Sequence, residues 1–354
     1  MKSRIFLVIA SCVTSIVTGL VLSRSGSSTE TVRARVKPLI GLSMDTLKEE
    51  RWQGDRDLFV ARAKELGADV LVQSANSDDT RQISDVQALI SRRVDVLVIV
   101  PHNGGAMAKA VNMAHDAGIP VLAYDRLITD CDLDLYLTFD NVKVGELQAQ
   151  FLVDRLPKEG KKKIVRILGA KTDNNALLFK KGQDHVLTPL INSGMIEIVH
   201  EDWTQDWKPE NAKKIANAAI TKAGSNFDAI LAANDGTAGG AIQALSEEGL
   251  AGRILVTGQD AELSACQRIV NGTQAMTIYK PLTQLAKQAA EAATKMARGK
   301  PVVALSKIDN GKTDVPSILL DVVVVTKDNM VDTVIKDGFH TAAEVYGAQP
   351  PQSP

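Results

Sequence analysis

Charged or amide side chains stand directly behind apolar runs at seven places in the chain. Asp45 follows LIGLSM, Asn103 follows VLVIVPH, Asp125-Arg126 follow VLAY, and Asp173-Asn174-Asn175 follow VRILGAKT. Further on, Asn234-Asp235 follow AILAA, Asp260 follows ILVTGQ, and Lys280 follows AMTIY. Any one of these, VLAYDR included, reads equally well as a loop with solvated charge. A repeated placement at strand ends reads as a pocket, because ligands of open α/β sheets bind beyond the carboxyl ends of the strands. The chemistry is uniform as well. Carboxylates accept hydrogen bonds from neighbouring hydroxyls, Asn offers a donor and an acceptor, and Arg or Lys donates to hydroxyl and ring oxygens. A polyol needs that mixture, since each hydroxyl both gives and takes. A phosphate or a dicarboxylate would call for an excess of basic groups and Gly-rich turns, which these segments lack. Trp52 and Trp207 offer aromatic faces suited to the C–H face of a sugar ring. The alternatives are helix core for Trp52 and a surface anchor for Trp207 or Trp203.

No catalytic constellation accompanies these residues. The sequence has no GxxxxGK, no GxGxxG behind a strand, and no HExxH, CxxC or GxSxG. The histidines are scattered without ligand spacing, although His102 stands at a strand end where it can reach a ligand. Asp130, Asp132 and Asp134 lack the Gly turn and distal Glu of a calcium loop, so they read as a solvated loop. No metal and no cofactor is expected. A glycosidase would need a carboxyl pair with one member kept protonated. The candidate carboxylates here stand beside Arg126 and Lys280, which favour the ionised form. Binding without chemistry is the expectation.

The elements that must position these side chains are written in the preceding pattern. From Lys37 an apolar strand, a polar tip and an amphipathic helix alternate: PLIGLSMD, a helix over 50–66 stopped by Gly67, ADVLVQSAN, a helix through Ile83, Val86, Leu89 and Ile90, VDVLVIVPHN, a helix ending near Gly118, and PVLAYDR. A second series starts near Lys163 with KIVRILGAKTDNN, MIEIVHEDW, FDAILAANDG, RILVTGQDAE and QAMTIYKP. Strands apolar throughout imply parallel sheets covered on both faces. The fold class is therefore α/β, with two doubly wound parallel-sheet lobes joined by a multi-strand hinge. Crossings are expected near 139–141, 279–281 and 315–319. Residues 37–140 with 281–316 form the first lobe, residues 141–280 with 317–345 the second, and residues 346–354 a disordered tail.

A chain of 354 residues, 45% hydrophobic and 23% charged, has room for two core-forming lobes. A net charge of −1 gives no reason to expect a nucleic-acid or anionic-membrane partner. Lys2 and Arg4 precede an uncharged apolar stretch over 5–23 and then the polar RSGSSTETVRAR, which makes residues 1–36 an export signal or anchor with a tether. Signal cleavage, an uncleaved anchor and lipidation at Cys12 stay open. In each, the folded part lies outside the cytoplasmic membrane, and membrane contact is confined to the N-terminus. Cys131 and Cys266 fall in different lobes and read as free thiols.

The segments ERWQGDRD (50–57), VQSAN (72–76), VDVLVIVPHN (94–103), VLAYDR (121–126), FDNVKVGELQA (139–149), NDGTAGGAIQAL (234–245), GQDAEL (258–263) and DTVIKDGFH (332–340) resemble the D-xylose-binding proteins of bacterial ABC sugar importers, which have the type I periplasmic-binding-protein fold. AYDR, the Glu-Arg-Trp opening and GQDA together point to the xylose branch rather than the ribose or galactose branches. The resemblance implies sugar contacts at Arg51, Trp52, Asp125, Arg126, Asp173, Asn175, Trp207, Asn234, Asp260 and Lys280, with Asp45 orienting Arg51. Asn103 belongs to the strand-end set but not to the family's. The implied protein is a monomeric, non-enzymatic periplasmic receptor that closes on D-xylose or a similar monosaccharide and delivers it to an ABC transporter permease. The alternative is a membrane-tethered sugar-sensing lobe that signals to a kinase or chemoreceptor. A LacI-type repressor core would need a DNA-binding helix pair where the leader-like segment stands.

Overall fold

The computed structural model describes residues 37–347. The readings of the leader, including Cys12, and of most of the tail lie outside the described residues. In chain order the elements are β1 (Leu39–Met44), α1 (Glu50–Glu65), β2 (Asp69–Ser74), α2 (Asp79–Ser91), β3 (Val96–Ile99), α3 (Ala108–Asp116), β4 (Val121–Tyr124) and β5 (Leu135–Phe139). They continue with α4 (Asn141–Arg155), β6 (Lys162–Leu168), α5 (Asn174–Asn192), β7 (Ile196–Trp203), α6 (Pro209–Ala223), β8 (Ala229–Ala232), α7 (Asp235–Glu247), β9 (Leu255–Val256), α8 (Leu263–Val270) and β10 (Thr277–Tyr279). The last are α9 (Leu282–Ala297), β11 (Ser306–Asp309), β12 (Asp314–Leu320), β13 (Val323–Val325) and α10 (Ala342–Tyr346).

The strands form a seven-stranded sheet in the order β11-β12-β5-β4-β3-β1-β2 and a four-stranded sheet in the order β7-β6-β8-β9. Within them β11–β12 is the antiparallel pair and the other pairs are parallel. The β3 and β4 strands are buried along their whole length, which is why they read as continuous apolar runs. Side chains of α1 and α9 cover one face of the larger sheet, and those of α2 and α3 the other. The smaller sheet is covered by α6 and α7 on one face and by α4 and α5 on the other. A short antiparallel ribbon, β10 with β13, packs with α8 and the C-terminal segment. Both sheets reverse strand order beside their first strand, β1 or β6, the place where such sheets open a crevice at their carboxyl ends.

Two features of this frame decide where site residues sit. A Cβ on Gly145 of α4 or Gly182 of α5 would run into the backbone of the other helix, so only glycine lets the two pack this closely. That contact holds the start of α5, with Asn175 and Phe179, over the sheet. The third passage between sheets also differs from expectation. β12 pairs with β5 as far as Leu320 opposite Phe139, because Ser317 and Leu320 remain buried in register. The chain therefore leaves the larger sheet after Leu320, not within 315–319. Cys131 and Cys266 are free thiols buried in separate cores.

Candidate ligand-binding site

Two sharp turns project the central carboxylates. After β4 the chain enters the left-handed region at Asp125, with φ 63°, a conformation that costs a non-Gly residue about 1–3 kcal/mol. The surroundings over-determine it. The Asp125 amide donates to the Leu137 carbonyl at 2.8 Å. Its own carbonyl accepts from Thr138 Oγ1 at 2.6 Å, Tyr136 OH at 3.0 Å and Asn175 Nδ2 at 3.0 Å. After β9 the same device recurs at Asp260, φ 95°, and Ala261, φ 50°. Here the Asp260 amide donates to the Ile278 carbonyl at 2.8 Å, and the Ala261 amide donates to Thr277 Oγ1 at 3.1 Å.

Arg51 joins the turns. Its guanidinium pairs with Asp125, lies 3.1 Å from Asp260 Oδ1, and lies 3.3 Å from Asp55 one turn along α1. Burial works against these charges. For Asp125, attraction to Arg51 and Lys280 outweighs it and holds the carboxyl below the usual range. For Asp55 burial prevails, and its carboxyl, bonded by Tyr124 OH, is pushed up to about 6. Lys280 is almost wholly buried, with Nζ 3.5 Å from Asp260 Oδ1 and over the rings of Phe179 and Phe139. Arg126 contacts Asp45 and Asp173, each at 2.8 Å.

The remaining groups come from helix starts, where free amides favour polar and anionic neighbours. Asp173 caps α5 by accepting from the Asn175 amide at 2.9 Å, and Asn234 caps α7 by accepting from the Thr237 amide at 2.9 Å. Trp52 is buried in the core of the larger sheet and also faces the cavity, with Arg51 at 4.3 Å and Arg126 at 5.1 Å from its ring. Core and site are not alternatives for this residue. Trp207 lies edge-on to Phe179 and donates Nε1–H to Asp173 at 3.2 Å. A side chain at Gly169 would occupy the space of its indole ring.

All ten residues named from the sequence line one cavity: Arg51, Trp52, Asp125, Arg126 and Asp173 with Asn175, Trp207, Asn234, Asp260 and Lys280. Three other strand-end or candidate residues stand behind it. Asp45 orients Arg126, not Arg51, and also receives His102 Nδ1 at 3.0 Å. The partners that keep Asp45 ionised act against its burial and hold it below the usual carboxylate range. Asn103 donates to Asp79 and accepts from the Ala106 amide. The sequence reading missed Glu49, Phe179, Gln259 and Glu262, which also line the cavity. Phe179 follows Asn175 by one helical turn, and the other three flank ERW and Asp260, so spacing alone pointed to them.

The arrangement is a buried set of donors and acceptors, mostly paired with one another, between aromatic walls. Charged hydrogen bonds act strongly in such a place, and an uncharged hydroxylated ring can insert among them without leaving a charge unpaired. Residues 40–301 match the periplasmic binding protein domain family. The D-xylose-binding periplasmic protein of Haemophilus influenzae is 52% identical over 307 residues, covering 87% of this chain and 92% of that protein. That of Escherichia coli K12 is 50% identical over 306 residues, covering 86% and 92%. A solved carbohydrate-transporter solute-binding protein from Chloroflexus aurantiacus, in complex with D-glucose, matches with a TM-score of 0.82 at 34% identity, over 86% of this chain and 97% of that one.

Proposed function

We propose that this chain, which belongs to the periplasmic binding protein family and has its type I fold, captures a monosaccharide between its two sheets, D-xylose before others, and delivers it to an ABC transporter permease. The family consists of solute-binding proteins, and the two D-xylose-binding relatives are periplasmic, so the periplasm is the proposed location. The observation that carries the reading is the single cavity lined by carboxylates, amides, guanidinium groups, an ammonium group and two indoles. Asp125, Asp173 and Asp260 would accept from sugar hydroxyls while Arg126 and Lys280 donate. Trp52 and Trp207 would cover the faces of the ring. The chain passes between the sheets at 140–141, 280–281 and 321–322, and rotation about these short passages would close the cleft over the sugar.

Calorimetric titration with a panel of pentoses and hexoses tests this. D-Xylose should bind at least about tenfold more tightly than ribose, galactose or glucose, a gap of roughly 1.4 kcal/mol. Equal or tighter binding of any of those three removes the xylose assignment. The sugar should be recovered unchanged after incubation, and turnover would make the protein an enzyme.

A further inference from the structure

Five acidic side chains line the cavity against three basic ones. The inner carboxylates each have a cation of the protein: Asp125 has Arg51, Asp173 has Arg126, and Asp260 has Arg51 and Lys280. Glu49 and Glu262 have no such pair among the described residues. Glu49 Oε2 and Gln259 Oε1 are buried without a hydrogen-bond partner, and Gln259 as a whole is 2% exposed. Glu49 and Glu262 act on each other and form one corner, Gln259 lines the same cavity three residues before Glu262, and the two glutamates also line an adjoining outer cleft with Trp207 and Asn234. The corner offers acceptors, and the cations around it, Lys48, Arg126 and Arg268, make no ion pair with Glu49 or Glu262 among the described residues.

We propose that Glu49, Gln259 and Glu262 form a subsite for a primary ammonium group, so that the cavity takes amino-deoxy sugars as well as neutral ones. The proposal rests on the sugar-binding reading of the same cavity. An ammonium has three donors and no acceptor, which matches the acceptors offered, whereas a hydroxyl donates only once. It also supplies the direct ion pair that the protein gives to the inner carboxylates and not to these two. Without it Glu262 holds its proton at neutral pH. Burial raises Glu49, with Asp45 adding to the shift while Arg126 and Lys48 oppose it. Burial, then Asp235, Asp260 and Glu49, push Glu262 up to about 8 against the pull of Arg268. A bound ammonium favours the ionised form of both and should displace a proton.

The test is calorimetry at about pH 6, where an amine is fully protonated, in two buffers of different ionisation enthalpy. The ligands are D-xylose and its 2-, 3- and 4-amino-deoxy derivatives. At least one amine should bind the wild type with release of protons, and xylose should bind without it. The ratio of amine affinity to xylose affinity should fall at least about tenfold in Glu262→Gln and in Glu49→Gln, roughly 1.4 kcal/mol. Because the readout is a ratio within one variant, a general loss of binding or folding does not mimic it. Xylose binding with no amine binding, amine binding without proton release, or an unmoved ratio in both variants overturns the subsite alone. Failure of xylose itself to bind overturns the reading on which the subsite rests.

Discussion

The turn after β4 and the turn after β9 use one backbone device for different electrostatic ends. In each, an Asp with positive φ donates its amide to the next strand, to Leu137 or to Ile278, and offers its carboxylate to Arg51. They diverge one residue later. Asp125 is followed by Arg126, which is tied to Asp45 and Asp173 and through Asp45 to His102. Asp260 is followed by Ala261 and then Glu262, whose amide donates to the buried Asp235 and whose carboxyl makes no ion pair among the described residues. The strained backbone aims a carboxylate, and the residue beside it decides whether that side of the cavity is charge-compensated or left with spare acceptors.

The largest break in this comparison is removal of the group both turns share. Arg51→Met leaves Asp125 without its guanidinium and deprives Asp260 and Asp55 of the same partner, all in a buried setting. Taking one partner from a buried ion pair costs about 3–5 kcal/mol. Urea unfolding should show a loss of that order, together with loss of sugar binding. A change under about 1 kcal/mol would mean the turns are held by their backbone bonds alone.

The next effect separates the turns. Asn tolerates the left-handed conformation, so Asp125→Asn and Asp260→Asn remove charge while sparing the backbone. Each should weaken sugar binding by about 1.5–3 kcal/mol, the worth of a hydrogen bond to a charged group. The second variant should also close less completely. Asp260 reaches Arg51 on the helix that covers the other sheet, so its charge links the two halves. Small-angle scattering at saturating xylose should therefore show less compaction for Asp260→Asn than for Asp125→Asn. Tight binding with full compaction in both would return these residues to the status of loop charges.

The strand ends were legible because each polar residue directly follows an apolar run, and a parallel sheet brings the ends of such runs to one edge. Local sequence could not say which charges pair. Asp45 was expected to serve Arg51, but it lies behind Arg126, while Asp55, four residues after Arg51 on α1, takes the expected place. That i,i+4 spacing was readable and went unused. The strands β5, β11, β12 and β13 carried weaker signals. In β11, SKID alternates half-buried and exposed residues at a sheet edge, and in β12, where a crossing is expected, buried and exposed positions are mixed. Burial in both cases comes from neighbours distant in sequence, which no local window contains.

The smallest effects lie in the outer layers of the two turns, and pH distinguishes them. His102 is raised above its usual value chiefly by its hydrogen bond with Asp45. Its contribution is fully present below about pH 6.5 and is lost as pH rises through the raised value. His102→Gln should therefore lower stability by about 0.5–1 kcal/mol on the acid side and converge on the wild type at higher pH. Glu262 behaves in the complementary way. Its carboxyl is raised to about 8 by burial and by Asp235 and Asp260, so the folded form holds a proton that the unfolded chain has already lost. Stability then falls as pH rises from about 4.3, the unfolded value, to about 8. Glu262→Gln removes that fall, so it should match the wild type near the acid limit and exceed it near pH 8. Urea midpoints measured across this range should show the two variants departing from the wild type at opposite ends. Departures at the same end would mean that the outer layers are not separate, and that Asp45–His102 and Asp235–Glu262 titrate as one network across the cavity.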